Sequence, residues 1–599
     1  MSHDVACDVG GGFVDMVAQA PGQPPILLKR PRGAAPLPAL IASLLAEAGI
    51  TATRLRLSTT LATNALAEGT AAPVALLTTQ GFTDLPELGR QSRRDPDDQH
   101  PPPPTPAWLS PPEWRLGVAG RIAADGREAE PLGGLGDFLE RLPRGTPVAI
   151  CLLFSPLNPA HEVALAQAIR AARPDLPISL SHCVDPALRE FERMLATMAD
   201  AALKPLLSQA LSGFPTAPWV LRAEGVLSPL ADALEAPLGL ATSGPAGGAL
   251  AVAHWASQDA IGLDIGSTTT EISLVRQGQP LTAREIAISG LHLRCPSLDV
   301  ASLGLGGGTT LAYAGGRIRL GPAAPPACLG GAQPTLTDAA LVAGWLPETL
   351  SGLALDSGAA RAALVRVFGS ADAIPALELA EAHIAEATRR MALRRGIDPV
   401  RALLVLGGGA GPLHGCAVAA RMGASRALLP PAPGLLSAFG LSLAPAGAAL
   451  ETACDLALEA AADLLPEATR QAAALRMKLA GWGLGATPAH QLEMAYAGQS
   501  ETLAIPWTPG EPITDIAARF DAEHAARRGH AAGGARRITA LRMTARAPLG
   551  PATPPSPTHH LIAPLPGPAL LHGADATLRI PASWLATPRA DGAITLERA

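Results

Sequence analysis

Two short segments of this chain combine an acidic residue, a turn of small residues and a second acidic residue at one spacing. The first reads Asp8-Val9-Gly10-Gly11-Gly12-Phe13-Val14-Asp15 and the second Asp264-Ile265-Gly266-Ser267-Thr268-Thr269-Thr270-Glu271. Asp8 aligns with Asp264, Gly10 with Gly266, and Asp15 with Glu271, the one internal repeat in the chain and a sign of two related lobes. Apolar runs flank each turn, so each segment predicts a β-hairpin. Glycine has no Cβ, so the backbone N–H groups at Gly10, Gly11, Gly12 and Gly266 can approach a phosphate closely. Ser267, Thr268 and Thr269 add hydroxyls. Asp8 and Asp264, just ahead of the turns, are placed to hold Mg²⁺ against the same phosphates, directly or through water.

A third glycine run, Gly407-Gly408-Gly409-Ala410-Gly411-Pro412, follows the apolar strand predicted at 401–406 and precedes a helix expected near Pro412. Its bare backbone is suited to the flat adenosine part of a nucleotide. The chain has no Gly-Lys pair and no strict G-x-G-x-x-G, which sets aside P-loop and Rossmann readings.

The elements that must position these residues are of α/β type. Strands are expected at 74–79 and 148–154, and helices at 161–172, 336–345, 378–395 and 467–480. Strands are also expected near 491–506. The polar, proline-rich stretch 92–112 predicts a surface loop, and 548–568 is a second proline-rich segment.

The bulk numbers bound the function. At 599 residues, with 48% hydrophobic and 16% charged residues, the chain is long enough for several cores. A formal net charge of −6 argues against a nucleic-acid surface. The basic run Lys29-Arg30-Pro31-Arg32 reads as a solvated edge. Seven scattered Cys without a C-x-x-C pair predict reduced thiols in a cytoplasmic protein. Neither a secretory leader nor an apolar run of membrane-spanning length is evident.

The order of two phosphate turns followed by adenosine glycines resembles the actin, sugar-kinase and heat-shock chaperone ATPase superfamily. More narrowly, the chain resembles the hydantoinase/oxoprolinase family, specifically its hydantoinase A-type subunit. Besides both turns, the resemblance rests on Thr59-Thr60-Leu61-Ala62-Thr63-Asn64-Ala65-Leu66, Asn158-Pro159-Ala160-His161-Glu162 and Arg189-Glu190-Phe191-Glu192-Arg193. It extends through Ser243-Gly244-Pro245-Ala246-Gly247-Gly248, the glycines at 304–309, Thr335-Leu336-Thr337-Asp338, and Gly411-Pro412-Leu413-His414.

The resemblance implies a two-lobed actin-like α/β fold with an additional C-terminal α+β domain. The expected sections are an N-terminal lobe at 1–200, a core lobe at 201–450 and a C-terminal domain at 451–599. It also implies ATP with Mg²⁺, Asp8 and Asp264 as catalytic and metal-organising residues, and Gly407, Gly408, Gly409 and Ala410 at the adenosine. The implied reaction is ATP-dependent activation of a carbonyl oxygen, as in a hydantoin or 5-oxoproline, by a hydrolase or carboxylase. A B-type subunit is the implied partner; a non-catalytic nucleotide-binding relative is the alternative.

This chain departs from the family pattern at Leu57-Ser58, where His-Gly is usual, at Ala301, where a histidine is common, and at Gly12 and Val14, where threonines are usual. Elsewhere, Asn64 reads as a helix cap, Cys328 as a buried thiol, His161 and His414 as structural, and the Arg189–Arg193 charges as surface pairs or a clamp.

Overall fold

Both acid-turn-acid segments fold as antiparallel hairpins, the first from Ser2–Val9 and Phe13–Gln19, the second from Ala260–Ile265 and Thr270–Arg276. The computed structural model describes residues 2–91, 104–350, 352–499 and 501–598. In register, Asp8 lies opposite Asp15 and Asp264 opposite Glu271. A parallel strand flanks the acidic strand of each hairpin. Thr51–Thr59 sets Ser58 beside Asp8, and Leu403–Gly407 sets Gly407 beside Asp264. The repeat is therefore one of three-stranded units.

Each unit seeds a separate mixed sheet. The first sheet has ten strands, running from Ile26–Pro31 through the first hairpin, Thr51–Thr59, Trp219–Leu221 and Leu227–Pro229. It continues through Ala446–Ala457, Arg536–Ala547 and Pro488–Tyr496 to Leu503–Trp507. The second has nine strands, from Gln279–Pro280 through the second hairpin, Leu403–Gly407 and Arg426–Leu429 to Ile594–Arg598, Trp584–Pro588 and Leu565–Pro566. Val300–Leu303 pairs with its Thr270–Arg276 strand. Sheet membership thus cuts across the sections 1–200, 201–450 and 451–599: strands after 446 extend the first sheet, while the last strands complete the second. A third, wholly parallel sheet orders Ile178–Leu180, Val148–Cys151, Ala75–Thr79 and Arg115–Val118.

Two helices run between the large sheets. Ser243–Trp255 leads from the first sheet to the second, and Leu436–Leu443 leads back. Strand alternation explains what meets them. Val5, Cys7 and Val9 enter one core with Met194 and Met198 of the helix Glu190–Ala210. Ala6 points the other way, into a cluster with Ala246 and Leu441 of the two connecting helices. In the second hairpin, Ile261, Leu263 and Ile265 pack with Ile384 and Val418. Gly262 lies against Val252. Asp8 shares the face of Ala6, and Asp264 that of Gly262, so both carboxylates are aimed at the connecting helices.

Several local expectations change. The strand expected at 148–154 ends at Cys151, and the helix expected at 336–345 ends at Val342. The helix containing Asn64 begins at Leu61, with Thr60 at its cap position, so Asn64 is not its cap. The Arg193 side chain is buried, not part of a surface pair. Most of the proline-rich stretch 92–112 lies outside the described residues. Among the described residues no helix is long and apolar enough to cross a membrane.

The connecting helices cross at backbone contact. A Cβ at Gly440 would stand 1.8 Å from the Gly247 carbonyl oxygen, and one at Gly247 would stand 2.7 Å from the Ser437 carbonyl oxygen. A methyl group cannot fit without moving the helices apart, so Gly440→Ala is expected to cost about 3 kcal/mol. A Cβ at Gly481 would meet nothing within 4 Å, and Gly481→Ala is expected to be neutral or slightly stabilising. Parallel denaturant melts of the two variants check the contrast; equal midpoints would refute it.

Candidate functional site

The helix Ser243–Trp255 carries glycines where the two hairpins approach it. A Cβ at Gly244 would lie 3.5 Å from Asp8 Oδ1, and one at Gly248 would lie 3.9 Å from Asp264 Oδ2. Positions four apart share one face of a helix, so the carboxylates of Asp8 and Asp264 flank little more than one helical turn, about 6 Å of rise. The structure brings together the two acids that the sequence repeat singles out.

Their supports differ. Ser58 donates its hydroxyl to Asp8 Oδ1 at 2.6 Å. Ser437, from the second connecting helix, donates to Asp264 Oδ2 at 3.2 Å. Asp15 accepts from Lys29 Nζ at 2.7 Å, and the same ammonium reaches the Gly434 carbonyl at 2.9 Å while lying over the Phe13 ring. Lys29, read from sequence as a solvated edge, is instead a cation beside the acids. Its strand pairs with the hairpin so that Lys29 lies directly across from Asp15. Ser302 donates to Glu271 Oε1 at 2.8 Å, and Glu271 Oε2 is buried with no hydrogen-bond partner within reach among the described residues.

Four carboxyls so placed do not ionise readily. Burial pushes Asp264 up to about 6, reinforced by the charge of Asp8. Burial raises Asp8 as well, against the hydrogen bond from Ser58 and the charge of Lys29. Asp15 rises to about 6 through burial despite Lys29, and Glu271 to about 7 through burial despite Ser302. Desolvation is the leading cause in all four, and repulsion from neighbouring carboxylates adds to it at Asp15, Asp264 and Glu271. The site is short of positive charge.

The hairpin tips face one another: a Cβ at Gly12 would stand 2.9 Å from Ser267 Oγ. The first tip closes with Gly10 N–H donating to Phe13 O at 3.0 Å, the second with Gly266 N–H donating to Thr269 O at 2.9 Å. The amides of Gly11, Gly12, Ser267 and Thr268 have no acceptor among the described residues. The second tip is clamped from behind. Gly307 N–H and Gly308 N–H donate to the carbonyls of Gly266 and Ser267 at 3.0 and 2.7 Å. Sequence reasoning missed this role of the 304–309 glycines, although their run was visible.

The third glycine run lies against the second acid. Gly407 ends its strand beside Asp264. Gly408 has φ +78°, and a Cβ there would stand 2.4 Å from Asp264 Oδ1; both the conformation and the space require glycine. Ala410 N–H donates to Ile265 O at 3.0 Å, and Gly409 precedes the helix Gly411–Met422. A recess beside the second tip is lined by Ile265, Gly306, Gly307, Glu381, Ala410 and His414. Within it the buried Glu381 is held by His414 Nδ1 at 3.1 Å and Arg579 Nη2 at 2.7 Å. Of the other departures, Ala301 lies across from Ile272 in the second sheet, and Asp299 accepts from Arg395 Nε at 2.5 Å. His161 pairs with Glu128, and Cys328 is buried.

Known proteins share this architecture and these segments. The hydantoinase/oxoprolinase N-terminal region matches residues 4–172, and the hydantoinase/oxoprolinase family matches residues 193–448. An uncharacterized protein of Methanocaldococcus jannaschii is 31% identical over 505 residues, covering 75% of this chain and 72% of that protein. The caprolactamase alpha subunit of Pseudomonas jessenii is 29% identical, over 64% of this chain and 60% of its own length. The crystal structure of the ATP-dependent caprolactamase from Pseudomonas jessenii superposes with a TM-score of 0.82 at 23% identity, covering all of both chains. Nucleotide-free acetone carboxylase superposes with a TM-score of 0.77 at 19% identity, again over all of both chains. With two family regions spanning most of its length and a relative matched over three quarters of it, this chain belongs to the hydantoinase/oxoprolinase family.

Proposed function

We propose that this chain is the nucleotide-binding subunit of an ATP-dependent enzyme that activates the carbonyl oxygen of a cyclic amide, on an actin-like two-lobed fold. The observation that carries the reading is the pair Asp8 and Asp264, half-buried about one helical turn apart beneath two facing tips with unpaired amides. A polyphosphate bridging the tips would take hydrogen bonds from those amides. Its adenosine end would lie toward Gly407, Gly408, Gly409 and Ala410. The names of its relatives, an ATP-dependent caprolactamase and an acetone carboxylase, support ATP and the carbonyl substrate class.

Mg²⁺ fits the residues present. Among the described residues no group of three or more His, Cys, Asp or Glu is arranged to hold a metal ion. Two carboxylates with room for water and phosphate are what Mg²⁺ ordinarily takes from a protein. The raised carboxyls and the orphaned Glu271 Oε2 both call for a nearby cation. Bound between Asp8 and Asp264, Mg²⁺ would neutralise phosphate charge; Asp15 and Glu271 would order its water.

In the proposed reaction the amide oxygen attacks the γ-phosphorus of ATP. A P–O bond forms, ADP leaves, and the carbon of the O-phosphorylated amide becomes open to water. One water adds to that carbon, and the tetrahedral centre collapses with cleavage of the C–N bond, the nitrogen taking a proton, to leave the ring opened as an acyl phosphate. A second water then hydrolyses the acyl phosphate to carboxylate and phosphate. The chain's own share is positioning: tip amides orient the phosphates, and lobe contact excludes water from them. A B-type subunit would supply the remaining substrate groups. This chain has a serine at position 58, hydrogen-bonded to Asp8, and that bond favours a second reading as a nucleotide-binding regulator without turnover.

ATP hydrolysis by the purified chain with its B-type partner and a lactam panel separates the two. Lactam-stimulated turnover supports the enzyme, and Asp264→Ala should then lower kcat at least about 100-fold. Tight MgATP binding without turnover in any mixture supports the regulator. Absence of both defeats the nucleotide reading.

The metal-free protein should also carry a pH signature. In the unfolded chain Asp264 titrates near the ordinary 4, and in the folded chain at about 6. Between those values only the folded state holds the proton, so stability falls as pH rises from about 4 to about 6 and then levels. In chelator, Asp264→Asn should therefore be more stable than the parent at pH 8, by about 1 kcal/mol given the partial exposure of the site. The gain should vanish at pH 4, and MgATP should stabilise only the parent. Thermal melts at the two pH values test this; a variant less stable at pH 8 would contradict it.

A further inference from the structure

A short antiparallel hairpin, Ala569–His572 with Thr577–Ile580, lies well beyond residue 448, where the matched family region ends. It is nevertheless bound to the surroundings of the third glycine run. Its Arg579 donates to Leu413 O at 3.0 Å and to Glu381 Oε1 at 2.7 Å, with the guanidinium over the Trp345 ring. Its turn closes with Gly573 N–H donating to Ala576 O at 2.9 Å and carries Asp575. A Cβ at Gly409 would meet the Asp575 carbonyl oxygen at 4.0 Å and, chain neighbours aside, no other described atom within that distance. The space over Gly409 is therefore open, with Asp575 at its border.

Asp575 is only 5% exposed, and its two carboxylate oxygens are used unequally. Oδ2 accepts from Gly434 N–H at 2.7 Å. Oδ1 is buried with no hydrogen-bond partner among the described residues. A buried acceptor left unpaired is a standing cost to the fold, relieved by any donor that reaches it. Holding Gly434 requires one oxygen; the other is free for a ligand. Gly434 also fixes which part of a ligand that is. Its carbonyl accepts from Lys29, the cation on Asp15, and the preceding carbonyl, Pro433 O, accepts from Gly408 N–H at 2.8 Å. One residue thus separates Asp575 from the ammonium beside the acids. In a nucleotide whose phosphates lie at the hairpin tips, the group that adjoins the phosphates is the ribose.

Resting on the nucleotide reading above, we propose that Asp575 recognises the ribose, its Oδ1 accepting from the vicinal 2′- and 3′-hydroxyls. A diol brings O–H donors to an oxygen that otherwise has none, whereas a sugar without hydroxyls leaves it unpaired. A buried polar group that only the right ligand satisfies discriminates strongly against the analogue lacking that contact. The site therefore selects ribonucleotides.

The test compares the dissociation constants of MgATP and Mg-2′,3′-dideoxy-ATP by calorimetry, for the intact chain alone and with its B-type partner. ATP is expected to bind at least about tenfold tighter. Asp575→Ala should weaken ATP about tenfold and leave dideoxy-ATP within about twofold, so that the two nucleotides become nearly equal. Asp575→Asn, which keeps an acceptor for Gly434 N–H, should melt like the parent and still lose most of the preference. A role confined to holding Gly434 would make Asp575→Ala weaken both nucleotides alike and leave Asp575→Asn unchanged, which overturns the assignment. So does equal affinity in the parent, or a preference that persists in both variants. Binding of neither nucleotide in any mixture defeats the nucleotide reading itself, an outcome distinct from loss of the sugar preference alone.

Discussion

The closeness of Asp8 to Asp264 depends on one helix crossing. Ser243–Trp255 and Leu436–Leu443 touch through Gly247 and Gly440 with no side chain between them. Gly244 and Gly248, on the same helix, let the two acidic strands reach it. A helix with three glycines and a proline has weak intrinsic preference, each interior glycine costing about 1 kcal/mol against alanine. It persists because both sheets bury it. The residues that make it a poor helix alone make it the only spacer narrow enough for this site.

From that spacing follows the electrostatic character of the cleft. Two carboxylates one helical turn apart, with Asp15 and Glu271 behind them, concentrate negative charge where burial already opposes it. Lys29 answers only part of it. Ser58, Ser437 and Ser302 supply hydrogen bonds to the anions but no charge. The second tip is clamped by two amides, those of Gly307 and Gly308, whereas the first is held by one, Arg32 N–H donating to Gly12 O at 2.9 Å. Gly12 has a reason of its own here: the threonine usual in the family would press its Cβ against Ser267.

The hairpins were legible because their signals are local: alternating apolar residues, a glycine turn and a repeated acid spacing. The family resemblance was legible for the same reason, as an ordered series of short motifs. What escaped was everything set by strand register or distant packing. Lys29 belongs to a run of basic residues that looks like surface until a third strand brings it opposite Asp15. Ser437 and Ser302 come from other elements, and neither neighbours its carboxylate in sequence. The 304–309 glycines were visible as a run, but their task required knowing that Gly266 and Ser267 turn their carbonyls toward them. Arg193 belongs to a helical charge cluster that reads equally as surface pairs or as a clamp, while a carbonyl and a serine hydroxyl at the edge of the third sheet draw it inside.

The chain path bears on how the cleft can open. Each connecting helix runs directly between the sheets, Ser243–Trp255 from Leu227–Pro229 toward Ala260–Ile265 and Leu436–Leu443 from Arg426–Leu429 toward Ala446–Ala457. The final strands return to the second sheet, so the chain passes between the two large sheets three times, and the hairpin at 282–298 also leaves the second sheet to pack into the first core. Separation by sliding would tear the glycine crossing, where there is no side chain to adjust. Rotation about that crossing would leave the Gly247–Gly440 contact in place while parting Gly12 from Ser267 at the far end. The acids sit beside the pivot and would move least, while the tips would move most. A cleft built this way can open without disturbing the pair of carboxylates at its floor.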